Sequence, residues 1–378
     1  MSLSHTTPLQ ITPTLSLKSR VTLAPMAGVT DAVFRSLVRR WAPESLVCTE
    51  MISANGLVFS KRWDAKILDK TASDHPIAFQ LSSSRQDVLL EAAENVAKYR
   101  KPDLIDLNMG CPVKKITGNF EGCSLMRDLD TAYALISRLA SAVDVPISVK
   151  FRLGWDAQSM NYVAFGQMAE AAGAKLIALH ARTRAQGYAP GCKWEAYGEL
   201  KRAVRIPVIA NGDITSLADA EHILSTYGVD GVMIGRGAQG QPWLLGQIDQ
   251  VLRGFAAETQ SLTAPSANVP GVRPAAKIPD TLAEKLAVAL EHAELLADYR
   301  GEGVAVREMR THLPKYVYGI PGASALRAKL TQVSTVADVA QVLDEVLACA
   351  HRQSFEGEAN RESFAQQLKR PGSQGLAA

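Results

Sequence analysis

Cys111 lies between Gly110 and Pro112 in the run NMGCPVKKITGNFEGCSLM, which begins where the apolar stretch LIDLNM runs out. An unperturbed thiol titrates near ~8.5, so at neutral pH it is mostly protonated and can hand over a proton. A loop rich in Gly and Lys suits catalysis better than packing. Cys48 and Cys349 read instead as structural thiols, and Cys123, further along the loop, has no assigned role. Gln80, Lys150 and His180 supply an amide, a cation and an imidazole from three separate apolar runs. That set matches the donors a flavin ring needs along its polar edge, and the cation favours the anionic reduced ring. Taken singly, His180 is as well explained as a satisfied core histidine, and Lys150 as the Schiff-base lysine of a lyase. The runs NGDI (Asn211 to Ile214) and GRGAQGQPW (Gly235 to Trp243) carry glycines that let backbone N–H groups approach an anion. Arg236 adds a bidentate donor, so a phosphate-bearing ligand is expected there.

Residues so scattered need a scaffold that brings them together. Apolar runs at 21–27, 46–52, 77–83, 104–109, 147–152, 176–182, 207–212 and 231–236 read as strands buried on both faces. Between them lie helical stripes, such as Val88, Leu89, Ala92, Val96 and Tyr99, then Leu135, Ile136, Leu139 and Val143, then Leu217, Ala220, Ile223 and Leu224. Eight strand-then-helix units over about 250 residues predict a (β/α)8 TIM barrel, with a doubly wound open sheet as the competitor. In a barrel the active site lies at the C-terminal strand ends. Those ends carry Pro25 and Met26, Glu50, Gln80, Asn108 with Cys111, Lys150 with Arg152, His180, Asn211, and Gly235 with Arg236.

The remaining chain divides by texture. Residues 1–20 form an N-terminal extension and 21–256 the barrel. Residues 257–280 form a Pro-rich linker, 281–352 a small all-helical domain and 353–378 a loosely ordered tail. Thr281 and Glu284 have the spacing of a capping box at the helical domain's start. With 47% apolar and 21% charged residues the 378-residue chain has ordinary globular usage. No apolar run approaches the ~18 residues that cross a bilayer. Five cysteines without a CxxC pair argue against a disulfide framework and against structural zinc. A cytoplasmic, metal-free monomer is expected. Net charge is only +3, yet residues 300–329 hold Arg300, Arg307, Arg310, Lys315, Arg327 and Lys329 against Glu302 and Glu308. Alone, that cluster reads as a solvated helix face. Beside a site for a macromolecular substrate it reads as a nucleic-acid surface.

Six runs together resemble the tRNA-dihydrouridine synthases, most closely the bacterial B-type group. They are APMAGVTDAVFR (Ala24 to Arg35), DLNMGCPVKK (Asp106 to Lys115), SVKFRLGWD (Ser148 to Asp156), HARTRAQGY (His180 to Tyr188), IPVIANGDI (Ile206 to Ile214) and VMIGRGAQGQPW (Val232 to Trp243). REMRTHLPKYVYGIPGASALR (Arg307 to Arg327) is similar to that group's C-terminal signature. The resemblance implies FMN at the barrel mouth, contacted by Pro25, Met26, Ala27, Gln80, Lys150, His180, Asn211, Gly212, Asp213, Gly235 and Arg236. It implies NADPH as reductant and Cys111 as the proton donor to C5 of a tRNA uridine, in the D-loop, flipped over the flavin. Asn108, Lys114, Lys115 and Arg152 are expected at the uridine and its phosphates. Arg307, Arg310, Lys315, Arg327 and Lys329 are expected to hold the tRNA. The sequence departs from the family at Ala181, where glycine is common, at Cys123, where serine is usual, and in a longer Pro-rich stretch. Two rivals remain beside the lyase: an FMN-barrel reductase of a free pyrimidine, and a non-catalytic RNA-binding protein on the same scaffold.

Overall fold

A computed structural model describes residues 7–71, 74–254 and 275–368, which fall into two compact units, 1–278 and 279–378. The first unit opens with an antiparallel hairpin, β1 (Leu9–Thr12) and β2 (Leu15–Leu17). The strands β3 (Val21–Leu23), β4 (Leu46–Cys48), β5 (Ile52–Ser53), β6 (Ile77–Ser82), β7 (Leu104–Met109), β8 (Ile147–Arg152), β9 (Leu176–His180), β10 (Val208–Asn211) and β11 (Gly231–Ile234) follow. Each of the eight barrel strands pairs in parallel with its neighbours, and β4 pairs with both β3 and β6, so the sheet closes. The expected TIM barrel is the observed fold.

Two differences from the expected strands have local causes. The run 46–52 is two strands, because Thr49 breaks the ladder: its hydroxyl accepts from the Gln80 N–H at 3.1 Å and donates to the Glu50 carbonyl at 2.9 Å. The run 21–27 stops at Leu23, with Ala24 making one more bond to the Ile234 carbonyl. Pro25 has no N–H to continue it, and 25–27 turn out into the mouth.

Helices cover the outside. In Gln86–Arg100 the expected residues Val88, Leu89, Ala92 and Val96 are buried, whereas Tyr99 is exposed. Leu129–Ala142 starts on the Asp128 carboxylate, which accepts from the Thr131 N–H. Leu217–Tyr227 starts on a capping box made by Ser216 and Asp219 and ends at Gly228, whose φ of +64° is the left-handed conformation that favours glycine. At the barrel's other end Leu9, Ile11 and Leu17 of the hairpin pack on Leu46, Leu104, Leu176 and Ile209. The stretch expected only as an extension therefore stoppers the end opposite the mouth. Its alternation of apolar and polar residues across a Pro13-Thr14 turn is a strand signal.

In the second unit, helices span Leu282–Arg300, Glu302–Tyr316, Ser324–Leu330 and Val336–Leu368. Thr281 and Glu284 make the expected capping box. Leu286, Ala289, Ala293 and Leu296 form the buried stripe of the first helix, which packs on the second and the last. The last helix continues through the stretch 353–368, expected as a loosely ordered tail, because no proline interrupts the chain before Pro371. Residues 369–378 and most of the expected linker, 255–274, lie outside the described residues. The linker's end, 275–280, is coil, and its Ala276 N–H and Lys277 carbonyl bond to Arg40 and Trp41 of the helix Ala32–Trp41.

Candidate active site

The strand ends bring the thiol loop down onto a chain of buried polar groups. Asp106, inside β7, accepts from the Ser148 hydroxyl and from Nε2 of Gln80, both at 2.7 Å. Gln80, 1% exposed, accepts through Oε1 from Asn108 Nδ2 at 2.9 Å. Asn108 in turn accepts through Oδ1 from the N–H groups of Gly110 (3.1 Å) and Cys111 (2.9 Å). The loop's carbonyls are held from the other side. Gly110 O accepts from Arg152 Nε at 2.9 Å and from Cys123 Sγ at 3.1 Å, and Cys111 O accepts from the Cys123 N–H. Cys111 is partly exposed, and burial raises its pKa, so it stays a thiol at neutral pH. Cys123 is fully buried and pushed up to about 12 by burial, a packed loop anchor. Serine could make the same bond to Gly110 O.

Across the mouth, Lys150 makes no hydrogen bond or ion pair among the described residues. It keeps partial solvent access, and burial, reinforced by Arg152, pulls its ammonium down to about 8. Arg152 was expected at the substrate but is 1% exposed. Its guanidinium ties Gly110 O to the carbonyls of Thr183 (3.0 Å) and Gly187 (2.7 Å). Through Nε and Nη1 it joins two loops. His180 lies beside Lys150 and three arginines; burial first, then their charges, hold it well below the usual histidine range. An arginine can only donate, so Arg182 Nη1 at 3.3 Å makes His180 Nε2 the acceptor and leaves the proton on Nδ1. Neutral His180 can therefore donate to a ligand through Nδ1. Arg182 also holds Ala189 O, Cys192 Sγ and the Asp213 carboxylate.

The ends of β10 and β11 behave as the glycines suggest. No hydrogen bond from the N–H groups of Asp213, Gly235 and Arg236 is found within the described residues, whereas the Gly212 N–H faces Met233 O in the β10–β11 ladder. A Cβ on Gly212, at φ +121°, would fall 2.6 Å from Cys192 Sγ and 2.9 Å from His180 Cδ2, so only glycine fits. Asn211 is buried and spends Nδ2 on Met233 O at 2.8 Å, and Asp213 is held by Arg182 and by Arg236 at 3.4 Å. These two position the loops. Arg236 remains half-exposed and able to turn to an anion. Pro25, Met26 and Ala27 line the β3 end, where Met26 O accepts from the Val29 and Thr30 N–H groups. Lys114 and Lys115 stand exposed on a one-turn helix after Cys111.

Sequence reasoning gave no role to Tyr188. It is 55% exposed, with the Arg152 and Arg236 guanidinium carbons at 5.2 and 5.1 Å and the His180 ring at 6.3 Å. Asp106 was also missed, although a charged residue inside an apolar strand was the signal for it. Within the helical unit, Arg307 and Lys315 are exposed and without a partner among the described residues. The other expected tRNA contacts are engaged: Arg310 donates twice to Val333 O, Arg327 stands over the 80% exposed Tyr318, and Lys329 pairs with Glu345 at 2.6 Å. No group of three or more His, Cys, Asp and Glu among the described residues could hold a metal ion. No described helix is long and apolar enough to cross a membrane.

The fold is a (β/α)8 barrel, and the polar groups described above gather at its C-terminal strand ends, where barrel enzymes carry their active sites. The family described as "Dihydrouridine synthase (Dus)" matches residues 22–353, and the chain belongs to that family. The "Probable tRNA-dihydrouridine synthase 1" of Synechocystis sp. is 41% identical over 91% of this chain and 90% of its own length. The "Probable tRNA-dihydrouridine synthase" of Rickettsia conorii is 38% identical over 83% and 88%. Among solved structures, histamine dehydrogenase from Rhizobium sp. 4-9 superposes with a TM-score of 0.50 at 16% identity, covering 66% of this chain and 48% of its own, a likeness of fold alone.

Proposed function

We propose that this chain reduces uridine to 5,6-dihydrouridine in tRNA, in the D-loop, with FMN as resident cofactor and NADPH as reductant, and that it works as a cytoplasmic monomer. The observation that carries the reading is the unbroken family match from residue 22 to residue 353, which includes Cys111 and every barrel strand after the first residue of β3. FMN is supported by the donor set. Lys150 has no protein partner among the described residues, Gln80 stands with it at the strand ends, His180 Nδ1 is available, and the unpaired N–H groups of Asp213, Gly235 and Arg236 suit a phosphate. When bound, FMN supplies the hydride that saturates the uracil double bond at C6, NADPH having reduced it beforehand.

The chain's own residues do the rest. Cys111 carries a proton at neutral pH because burial disfavours its thiolate, and it delivers that proton to C5; solvent then restores it. Asn108 and Arg152 fix the loop that carries the thiol. Lys150 offers its cation where negative charge collects on the reduced ring. Lys114 and Lys115 guide the phosphates around the extruded uridine, and Arg307 and Lys315 hold tRNA from the helical unit. The test is to incubate the purified protein with FMN, NADPH and unmodified tRNA and to map dihydrouridine by mass spectrometry, with free uridine as control. Dihydrouridine in tRNA alone is expected. Reduction of free uridine at an equal rate would favour the free-pyrimidine reductase, and no product from either would overturn the reading.

A further inference from the structure

The hydrogen bonds beneath Cys111 have a direction. Asp106 has oxygens only, so Gln80 must turn its NH2 toward it. That choice leaves Gln80 Oε1 for Asn108, which must then present NH2, and this in turn leaves Asn108 Oδ1 for the N–H groups of Gly110 and Cys111. Were Gln80 reversed, its NH2 would face the Asn108 NH2; were Asn108 reversed as well, an NH2 would face two backbone N–H groups and the loop would have to move. We infer that Asp106 is a positioning residue for the thiol: through Gln80 and Asn108 its carboxylate fixes the amide orientations that hold the Cys111 loop in place. Ser148 anchors the far end by donating to Asp106 Oδ1 at 2.7 Å. This inference rests on the proposed role of Cys111 as proton donor for its effect on turnover, but not for its effect on the loop.

The direction can be tested by reversing one link. In Gln80→Glu the introduced carboxyl has the shape of the amide. When protonated it donates to Asp106 and accepts from Asn108, as Gln80 does. When ionised it faces the Asp106 carboxylate at hydrogen-bond distance, and two carboxylates so close cannot both stay charged in place. The other groups around Asp106 are Lys150 on β8 and Cys48 on β4, which wild type shares, so the ratio of variant to wild type isolates the new carboxyl. Adding Asp106→Asn supplies an NH2 to the ionised carboxyl while its oxygen still accepts from Ser148. The orientation of Asn108 is then restored at every pH.

The measurements are dihydrouridine formation, flavin retention, and the rate at which iodoacetamide alkylates Cys111, read by peptide mass spectrometry from about pH 5.5 to about pH 8.5. In Gln80→Glu, turnover relative to wild type should be highest at the acid end and fall on the order of 10²-fold toward the alkaline end. The ratio of its Cys111 alkylation rate to that of wild type should change over the same range. Both effects should largely disappear in the double variant. A ratio flat with pH, or a double variant no better than the single one, would overturn the relay. If Gln80→Glu does not fold, Asp106→Asn alone decides. An amide there can present either its oxygen or its NH2 to Gln80, so the fixed direction is lost and Cys111 alkylation should depart from wild type; an unchanged alkylation rate would overturn the inference. A wild type that forms no dihydrouridine would sink the proposed function, while the alkylation arm would still judge the relay.

Discussion

At the barrel mouth the strongest polar groups are hidden. Arg152 and Arg182 are each 1% exposed and give their donors mainly to backbone carbonyls and to Asp213, so they hold loops. In the helical unit the charges are on the surface, and most have partners: Lys329 with Glu345, Arg300 with Glu308, Arg310 with Val333 O. Buried arginines there would have read as ligand contacts from sequence, and surface ones as a continuous RNA face. Groups without partners among the described residues include Lys150, Lys114, Lys115 and N–H groups at the β10 and β11 ends in one unit, and Arg307 and Lys315 in the other. Lack of a partner, not charge, marks the groups left for a ligand.

The largest test of this distinction is at the thiol. Cys111→Ala removes the partly exposed thiol, and with it only the contact from the Val113 N–H; the bonds through Gly110 and the Cys111 backbone stay. Dihydrouridine formation should fall by roughly 10²–10⁴-fold while NADPH oxidation by the loaded protein continues. Cys123→Ser, which keeps a donor for Gly110 O, should cost far less. Comparing single-turnover tRNA reduction in the two variants checks the prediction, and equal losses would mean that both cysteines only shape the loop.

Lys150 gives the next effect. Its pKa sits near about 8, below the ordinary lysine value, and an anionic ligand binds its charged form. Affinity for FMN should therefore weaken as pH rises through about 8, by up to about tenfold per pH unit where the lysine is neutral in the free protein. A bound anion stabilises the cation, so the decline begins near the free-protein pKa and levels off above the higher pKa of the complex. Fluorescence titration should find this slope in wild type and not in Lys150→Met, whose affinity should be lower at neutral pH. An unchanged slope in the variant would assign the pH dependence elsewhere.

The barrel was legible because parallel strands covered on both faces must be apolar, and eight such runs leave few other architectures. The helix stripes and the Thr281 capping box followed from periodicity and local chemistry. The hairpin stopper was not read, because Leu9, Ile11 and Leu17 make sense only once the open end of a closed barrel exists to receive them. The strand-end reading singled out Gln80, Lys150, His180 and Cys111, but sequence does not say where a side chain's donors go. Arg152 spends Nε and Nη1, and Asn211 its Nδ2, on backbone carbonyls, which their place in the sequence does not show. Asp106 and Tyr188 lay inside quoted motifs without a role, since each acts through neighbours from other strands and loops.

The smaller effects lie in the helical unit. Arg307→Glu with Lys315→Glu should weaken tRNA binding with flavin content unchanged. The salt dependence should flatten too, by roughly 0.7–0.9 in log–log slope for each phosphate no longer neutralised. Lys329→Glu provides the contrast. Its ammonium pairs with Glu345 at 2.6 Å, and both side chains are solvent-accessible, 55% and 36% exposed. An exposed pair of this kind is worth only about 0.2–1 kcal/mol, and like charges at the same place cost a similar amount. Lys329→Glu should therefore lower the unit's stability slightly in a urea melt and leave the salt slope of tRNA binding near wild type. Adding Glu345→Lys should restore the melt by reversing the pair. If Lys329→Glu instead flattens the salt slope as much as removing the Arg307 charge does, the ion pair opens to phosphate. Partnered charges would then have to be counted in the RNA surface after all.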